Sequence, residues 1–446
     1  MKKTLKAQWL SKVTIAATAT LFSAASLAES SYLIINAKVF DGQSEQLTEP
    51  QQVLVEGNKI TKISPQIEQP KDSIVIDADG RTLSPGFIAA HEHLVGQMSF
   101  GELFAKDTRY KAYVATQTVE QYLMNGFTAV RDLAGNTFSL RDAIDSGYIK
   151  GPRIFPSGPM ISQTSGHADH RWQSHTNALQ GGSWDTMERE GDMLVVDGVP
   201  DMLKAVRENL RQGASQIKIA VGGGTGSFAD PLDTVQFTPE EIQAATQAAA
   251  DWNTYVTAHV YNTEGIRRAI DNGVKSIEHA NLIDEDTLRY MKKHDVWLSP
   301  QVIVYTYIPK GYTQDQAAKH RQAYAGIDNL FKTAKKIGFD KIAFGTDIIT
   351  DPKMIAEMNQ EFVHRTEWFT PAEIMKQATY NSAQLLALSG PRSPYPEKMG
   401  VIEEGAYADL LLIDGNPLDD ITILTNPKQN LSLIMKDGQI YKNTIN

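Results

Sequence analysis

The 446-residue chain contains no cysteine. Disulfides and thiolate metal sites are therefore excluded, and any bound metal must sit on His, Asp, Glu or a modified Lys. Positive charge is also in deficit: 43 Lys plus Arg stand against 53 Asp plus Glu, a formal net charge of −10. Such a chain is a poor partner for nucleic acid or anionic lipid. Apart from a short N-terminal stretch there is no hydrophobic run of note, and neither an internal repeat nor a long low-complexity segment interrupts the chain. What is present is ordinary globular material, 41% hydrophobic and 22% charged. Its length suits a barrel of ~250 residues plus a smaller module.

The N-terminus reads as a secretory signal covering residues 1–28. Lys2, Lys3, Lys6 and Lys12 form a basic region, residues 13–22 are apolar, and Ser26-Leu27-Ala28 offers small residues for cleavage before Glu29. The apolar stretch is shorter than the ~20 residues that span a bilayer. The expected location is the periplasm or the exterior, with no membrane attachment after cleavage. Loss of four lysines leaves 39 basic residues against 53 acids, a net charge near −14.

Residues 29–82 alternate short β-prone runs with turns. Residues 52–56 and 59–63 flank Gly57-Asn58 as a hairpin. From residue 83 the pattern becomes strand, loop, helix. Candidate strands are 83–89, 127–132, 153–157, 216–221, 255–260, 275–279, 296–302 and 341–344, with helical stretches between most of them. Eight strands alternating with helices predict an α/β fold with a (β/α)8 TIM-like barrel; an open doubly wound sheet is the alternative. After the Pro-rich linker around 390–396, strands at 408–413 and 431–435 are expected to return to the first module. The predicted organisation is a barrel over 83–390 and a small discontinuous β-sandwich from 29–82 and 391–446.

Barrel chemistry lies at the C-terminal ends of strands. Strand one ends in His91-Glu92-His93, whose two imidazoles share a face by strand alternation. Strand four carries Lys218, strand five His259, strand six His279 and strand eight Asp347. Singly, each has a plain structural reading, such as a surface histidine, a lysine reaching water or a helix cap. Together, six metal-capable groups on one rim point to a metal centre.

This order resembles the amidohydrolase superfamily. Thr128 to Leu133, Ile217-Lys218, Ala258 to Tyr261 and Ser276 to Ala280 are similar to the imidazolonepropionase-related branch. That branch includes metal-dependent Xaa-Pro and Xaa-Arg/Lys dipeptidases and ochratoxin-hydrolysing amidases. The resemblance implies two divalent ions, usually zinc. His91, His93 and Asp347 would hold the first, His259 and His279 the second, and a carboxylated Lys218 would bridge them. It further implies a metal-bridging hydroxide that attacks a C–N bond, with Asp347 carrying the proton to the leaving amine. The expected substrate is a dipeptide or an N-acyl amino acid. A cyclic amide or lactone is the alternative, and a non-catalytic zinc-binding scaffold is disfavoured by the complete set of six. A homo-oligomer is compatible with this reading.

Two residues depart from the family pattern. Ala89 stands where many relatives have Asp, and Glu92 separates the two histidines. Strand alternation should turn Glu92 away from the metals into a structural ion pair. Tyr261, two residues past His259, is a candidate substrate contact. So are His167 and Arg171 in the His-rich loop 165–175, which reads as an active-site loop rather than a separate metal site. Gly222 to Gly226 lacks the spacing of a phosphate loop and reads as backbone passing close to the metals. Tyr305 and Tyr307 are expected near the pocket, and residues 309–336 form a polar, helical insert.

Overall fold

The computed structural model describes residues 31–176 and 180–445; the expected signal segment lies outside them. The first strands are β1 (Ser31–Val39), β2 (Gln51–Glu56), β3 (Lys59–Ser64), β4 (Ile74–Asp77) and β5 (Thr82–Pro85). β2 and β3 pair antiparallel around Gly57, whose φ of 58° suits a residue without a Cβ.

The central strands are β6 (Phe87–Glu92), β7 (Phe127–Asp132), β8 (Arg153–Pro156), β9 (Met160–Ser162), β10 (Met193–Val195), β11 (Ile217–Ala220), β12 (Val256–Asn262), β13 (Ser276–Leu282) and β14 (Trp297–Ser299). Near the C-terminus come β15 (Leu410–Ile413), β16 (Leu431–Lys436) and β17 (Gln439–Asn443).

Strands from both ends of the chain share one sheet, in the order β17-β16-β15-β5-β1-β2-β3, with β4 paired to β1. The expected first barrel strand, 83–89, is therefore split. Residues up to Pro85 pair with β15 in the terminal sheet, and the central array starts at Phe87. Gly86 sits at the break, where a Cβ would collide with the Thr128 side chain.

The central strands are parallel. β6-β7-β8 form one arc and β10-β9-β11-β12-β13-β14 another. Backbone bonds join the arcs. Ser215 N–H donates to Pro156 O at 2.8 Å on one side. On the other, residues 341–344 lie between β14 and β6: Ala343 N–H donates to Leu298 O at 2.9 Å and Ala90 N–H to Phe344 O at 2.6 Å. Eight parallel segments, β6, β7, β8, β11, β12, β13, β14 and 341–344, thus ring a common core. β7 and β11 are buried along their whole length, as strands covered on both faces must be.

Helices cover the ring. α1 (Phe100–Ala105) begins at a Ser99/Glu102 capping box, and α2 (Thr108–Met124) follows at once. The helix Pro239–Ala250 starts with Thr238 as cap, Pro239 at its first position and Glu241 closing the box. The polar insert forms one long helix, Gln314–Ile337, ended by Gly338 at φ 61°. No described helix is long and apolar enough to cross a membrane.

Candidate metal centre

The side chains at the C-terminal ends of the ring converge on one cavity of about 100 Å³, lined in part by His91, His93, Lys218, His259, His279 and Asp347. Ligand-capable atoms of His91, His93 and Asp347 all lie within 4.8 Å of one another. Asp347 Oδ1 is 3.0 Å from His93 Nε2 and 3.4 Å from His91 Nε2. The His279 ring centroid sits 4.8 Å from that of His91 and 4.5 Å from that of His259.

Two of these residues depend on unusual backbone. His279 has φ 71° and Asp347 φ 54°, both in the left-handed region that few non-glycine residues occupy. The turn at His279 brings its ring to the cavity although its neighbour Glu278 also faces the ring interior. Such strain persists where surrounding structure over-determines it.

The donor set suits a metal. It holds imidazole nitrogens and oxygen, with no sulfur. Burial presses His259 and His279 well below the usual imidazole range, so both rings are neutral and hold a lone pair for a cation. Burial likewise lowers Lys218 to about 8, although Glu278 and Asp347 attract its charge. No ion pair to Lys218 occurs among the described residues, and an unpaired buried ammonium is costly. Burial alone would raise the Asp347 carboxyl, but His91 and His93 outweigh it and hold it well below the carboxylate range.

A second layer orients the first. Glu278, fully buried, accepts from His91 Nδ1 at 2.7 Å, from Arg131 at 2.7 Å and from the hydroxyls of Thr257 and Ser276. This leaves His91 Nε2 free toward Asp347. Gln301 Oε1 lies 2.8 Å from His279 Nδ1, which the Tyr305 hydroxyl also approaches at 3.1 Å. Sequence reasoning assigned neither Glu278 nor Gln301 a role. Glu278 was within reach of it, because alternation from Ser276 directs an acid into the ring interior.

Glu92 forms no ion pair among the described residues. Its carboxylate accepts from Tyr122 OH at 2.7 Å and from the Thr346 backbone N–H at 2.8 Å and hydroxyl at 2.7 Å. Burial raises it to about 8. It points away from the cavity, as alternation requires, and ties the turn carrying Asp347 to β6 and α2.

The expected substrate contacts fall in different places. His167 lines the cavity, its ring stacked 3.9 Å from that of His259 at 7°. Its Nδ1 is 3.0 Å from Ser227 Oγ and 3.3 Å from Asp230 Oδ2. The glycine run makes room for it, since a Cβ on Gly224 would fall within the imidazole. Tyr261 also lines the cavity, stacked on His279 and hydrogen-bonded to Tyr305 at 2.6 Å. Arg171 is not part of this cavity. Its guanidinium grips Asp169 at 2.7 and 2.6 Å. A short-range ion pair two residues away took the cation that the sequence offered to a substrate. Tyr307 is not on the cavity wall either, whereas Tyr305 is.

Comparison with known proteins places this geometry. The sequence matches the family described as Amidohydrolase family over residues 82–441. Ochratoxinase of Aspergillus niger is 33% identical over 330 residues, covering 72% of this chain. The match spans 66% of that enzyme's length, just under two thirds. The crystal structure of a prolidase complexed with N-methylphosphonate-L-proline superposes with a TM-score of 0.86 at 31% identity, covering 93% of this chain and 100% of that one. A Xaa-Pro dipeptidase with methionine in its active site gives 0.79 at 31% identity, with coverage of 93% and 100%.

Proposed function

The chain belongs to the amidohydrolase family, and from that premise we propose that it is an exported binuclear-metal amidase that cleaves the C–N bond of a dipeptide-like or N-acyl amino acid substrate. The observation that carries this reading is the convergence of His91, His93 and Asp347 within 4.8 Å in a cavity shared with Lys218, His259 and His279. The names of its relatives, an ochratoxinase and prolidases, support an amide or peptide bond as the target.

His91, His93 and Asp347 would hold one divalent ion, zinc above all, and His259 and His279 a second. Lys218 would bridge them as a carbamate: its neutral amine adds CO2, a C–N bond forms, and one proton leaves to solvent. The amine lowered to about 8 is suited to that addition. Bound there, the ions supply a water of lowered pKa and a Lewis acid for the scissile carbonyl.

The remaining steps fall to the chain. Asp347 accepts the proton of the attacking water and delivers it to the leaving nitrogen. His167, with Nδ1 held by Ser227 and Asp230, turns its other nitrogen to the carbonyl oxygen, which becomes the oxyanion as water adds to its carbon. Tyr261 contacts the substrate through its hydroxyl.

The test uses the mature protein, assayed for metal per chain and for hydrolysis of Xaa-Pro, Xaa-Arg and N-acyl amino acid panels. The proposal expects cleavage of at least one class, and its loss in Asp347→Ala with much of the metal retained. Near-normal kcat in that variant would overturn the mechanism.

A further inference from the structure

The long polar helix Gln314–Ile337 supplies none of the six candidate ligands, yet it braces the cavity from outside the ring. Gly326 lets its backbone ride on β13, because a Cβ there would fall 2.0 Å from Asn281 O. Asn281 follows closely on His279 in the same strand, and its side-chain amide donates to Ala323 O at 3.0 Å. From that anchor the first turns of the helix reach the loop that follows β11. Gln316 Nε2 donates to Gly226 O at 2.7 Å, and the Lys319 ammonium donates to Ser227 O at 2.9 Å and to Asp230 O at 3.3 Å. Thr225, Gly226 and His320 line the cavity.

Lys319 is buried at this contact, 7% exposed, and its one ion pair among the described residues is a loose one, 3.7 Å to the exposed Asp315. A buried ammonium is costly unless acceptors take its protons, and here two main-chain carbonyls do so. Those carbonyls belong to Ser227 and Asp230, whose side chains flank His167 Nδ1 at 3.0 and 3.3 Å. The loop is also bonded tightly to itself. The Asp230 carboxylate accepts the Gly224 N–H at 2.7 Å and the Ser227 hydroxyl. A Cβ on Gly223 would fall 2.0 Å from Pro231 O, so the chain doubles back closely there. A loop bonded in this way shifts as a unit, and its ties to the helix decide where the unit sits.

We infer that Lys319 is a positioning residue for the hydrolysis: its ammonium pins the loop 224–230 so that Ser227 and Asp230 turn His167 to the reacting carbonyl. This rests on the oxyanion role given to His167 above. Lys319 touches neither the candidate ligands nor the substrate, and its effect passes through His167. Through Gly326 the same helix is fixed to the strand of His279, so the distance between the metal side and the His167 side of the cavity is set by one rigid element.

The test uses the purified, zinc-loaded protein and the substrate it cleaves fastest among the Xaa-Pro, Xaa-Arg and N-acyl amino acid panels. Lys319→Met fills similar space without donors. It should lower kcat ~10- to 100-fold, the effect of displacing a catalytic group by ~1 Å, while KM stays within ~3-fold. Zinc per chain should not change. In a His167→Ala background the same substitution should cost ~2-fold or less, because the residue it acts through is gone. The lack of cysteine in the chain allows a rescue. In Lys319→Cys, alkylation of the single thiol with 2-bromoethylamine rebuilds an ammonium at nearly the length of the lysine side chain and should restore much of kcat. Should Lys319→Met fail to fold by circular dichroism, Lys319→Gln, which keeps a donor, carries the same comparison. Unchanged kcat in a folded Lys319 variant, or an equal loss in the wild-type and His167→Ala backgrounds, would overturn the inference and leave the amidase reading standing. Near-normal kcat in His167→Ala would remove the oxyanion role and the inference with it. Failure of the wild type to cleave any amide would remove the amidase reading as well.

Discussion

Replacing Glu278 by Gln tests how the centre is held. The carboxylate sits between His91 Nδ1 and Arg131, each at 2.7 Å, and is fully buried. Its second oxygen also takes the hydroxyls of Thr257 and Ser276. A carboxylate accepts on both arms, whereas an amide accepts on one and donates on the other. With three donors on the Arg131 arm, the amide oxygen must stay there. The NH2 then faces His91 Nδ1 and drives the ring proton to Nε2, the nitrogen 3.4 Å from Asp347. That nitrogen can no longer ligate. Loss of an outer-shell partner of this kind costs ~10- to 100-fold in metal affinity, or about 1.4–2.7 kcal/mol. Arg131 is also left without its carboxylate, which lowers stability by up to ~3–5 kcal/mol. Competition with a fluorescent chelator measures the first effect, and thermal melting followed by circular dichroism the second. Metal affinity within twofold of wild type in a folded variant would refute the reasoning.

Other substitutions probe separate parts of the site. Lys218→Ala should lose most bound metal, and a short carboxylic acid should restore part of it; normal metal content would rule out the bridging role. Gly224→Ala should push His167 off its stack on His259 and lower kcat/KM by ~10- to 100-fold with little change in melting, a displacement effect that steady-state kinetics would detect. Asp132 carries a pH effect on stability. Burial raises its carboxyl to about 8, above the unfolded value near 4, so its contribution is complete at low pH and is lost as pH rises toward 8. Asp132→Asn keeps the acceptor for the Leu94 N–H, and the Thr137 hydroxyl can turn to accept. Melting curves between pH 5 and 8.5 should therefore fall less steeply with pH in the variant than in wild type.

Much of this was written in the sequence because strand ends are local features. The alternation of His91 and His93, and the single His or Asp at each later strand end, need only a 2-residue period to be read. What escaped depends on non-local geometry. The need for a glycine at position 86, where the strand divides, arises because Thr128, on the neighbouring strand, fills the space of a Cβ. Arg171 looked free because nothing in a linear reading decides between a substrate and Asp169. Glu92 looked like half of an ion pair, yet a tyrosine and a threonine from distant segments satisfy it.

The central claim is that these side chains hold two metal ions that the hydrolysis requires. It is tested most directly by stripping the purified protein with a chelator, adding zinc back stepwise, and following metal per chain and amide cleavage together. The account predicts negligible cleavage without metal and recovery that saturates at two ions per chain. Full cleavage by metal-free protein, or saturation at two ions with no amide cleaved, would contradict it.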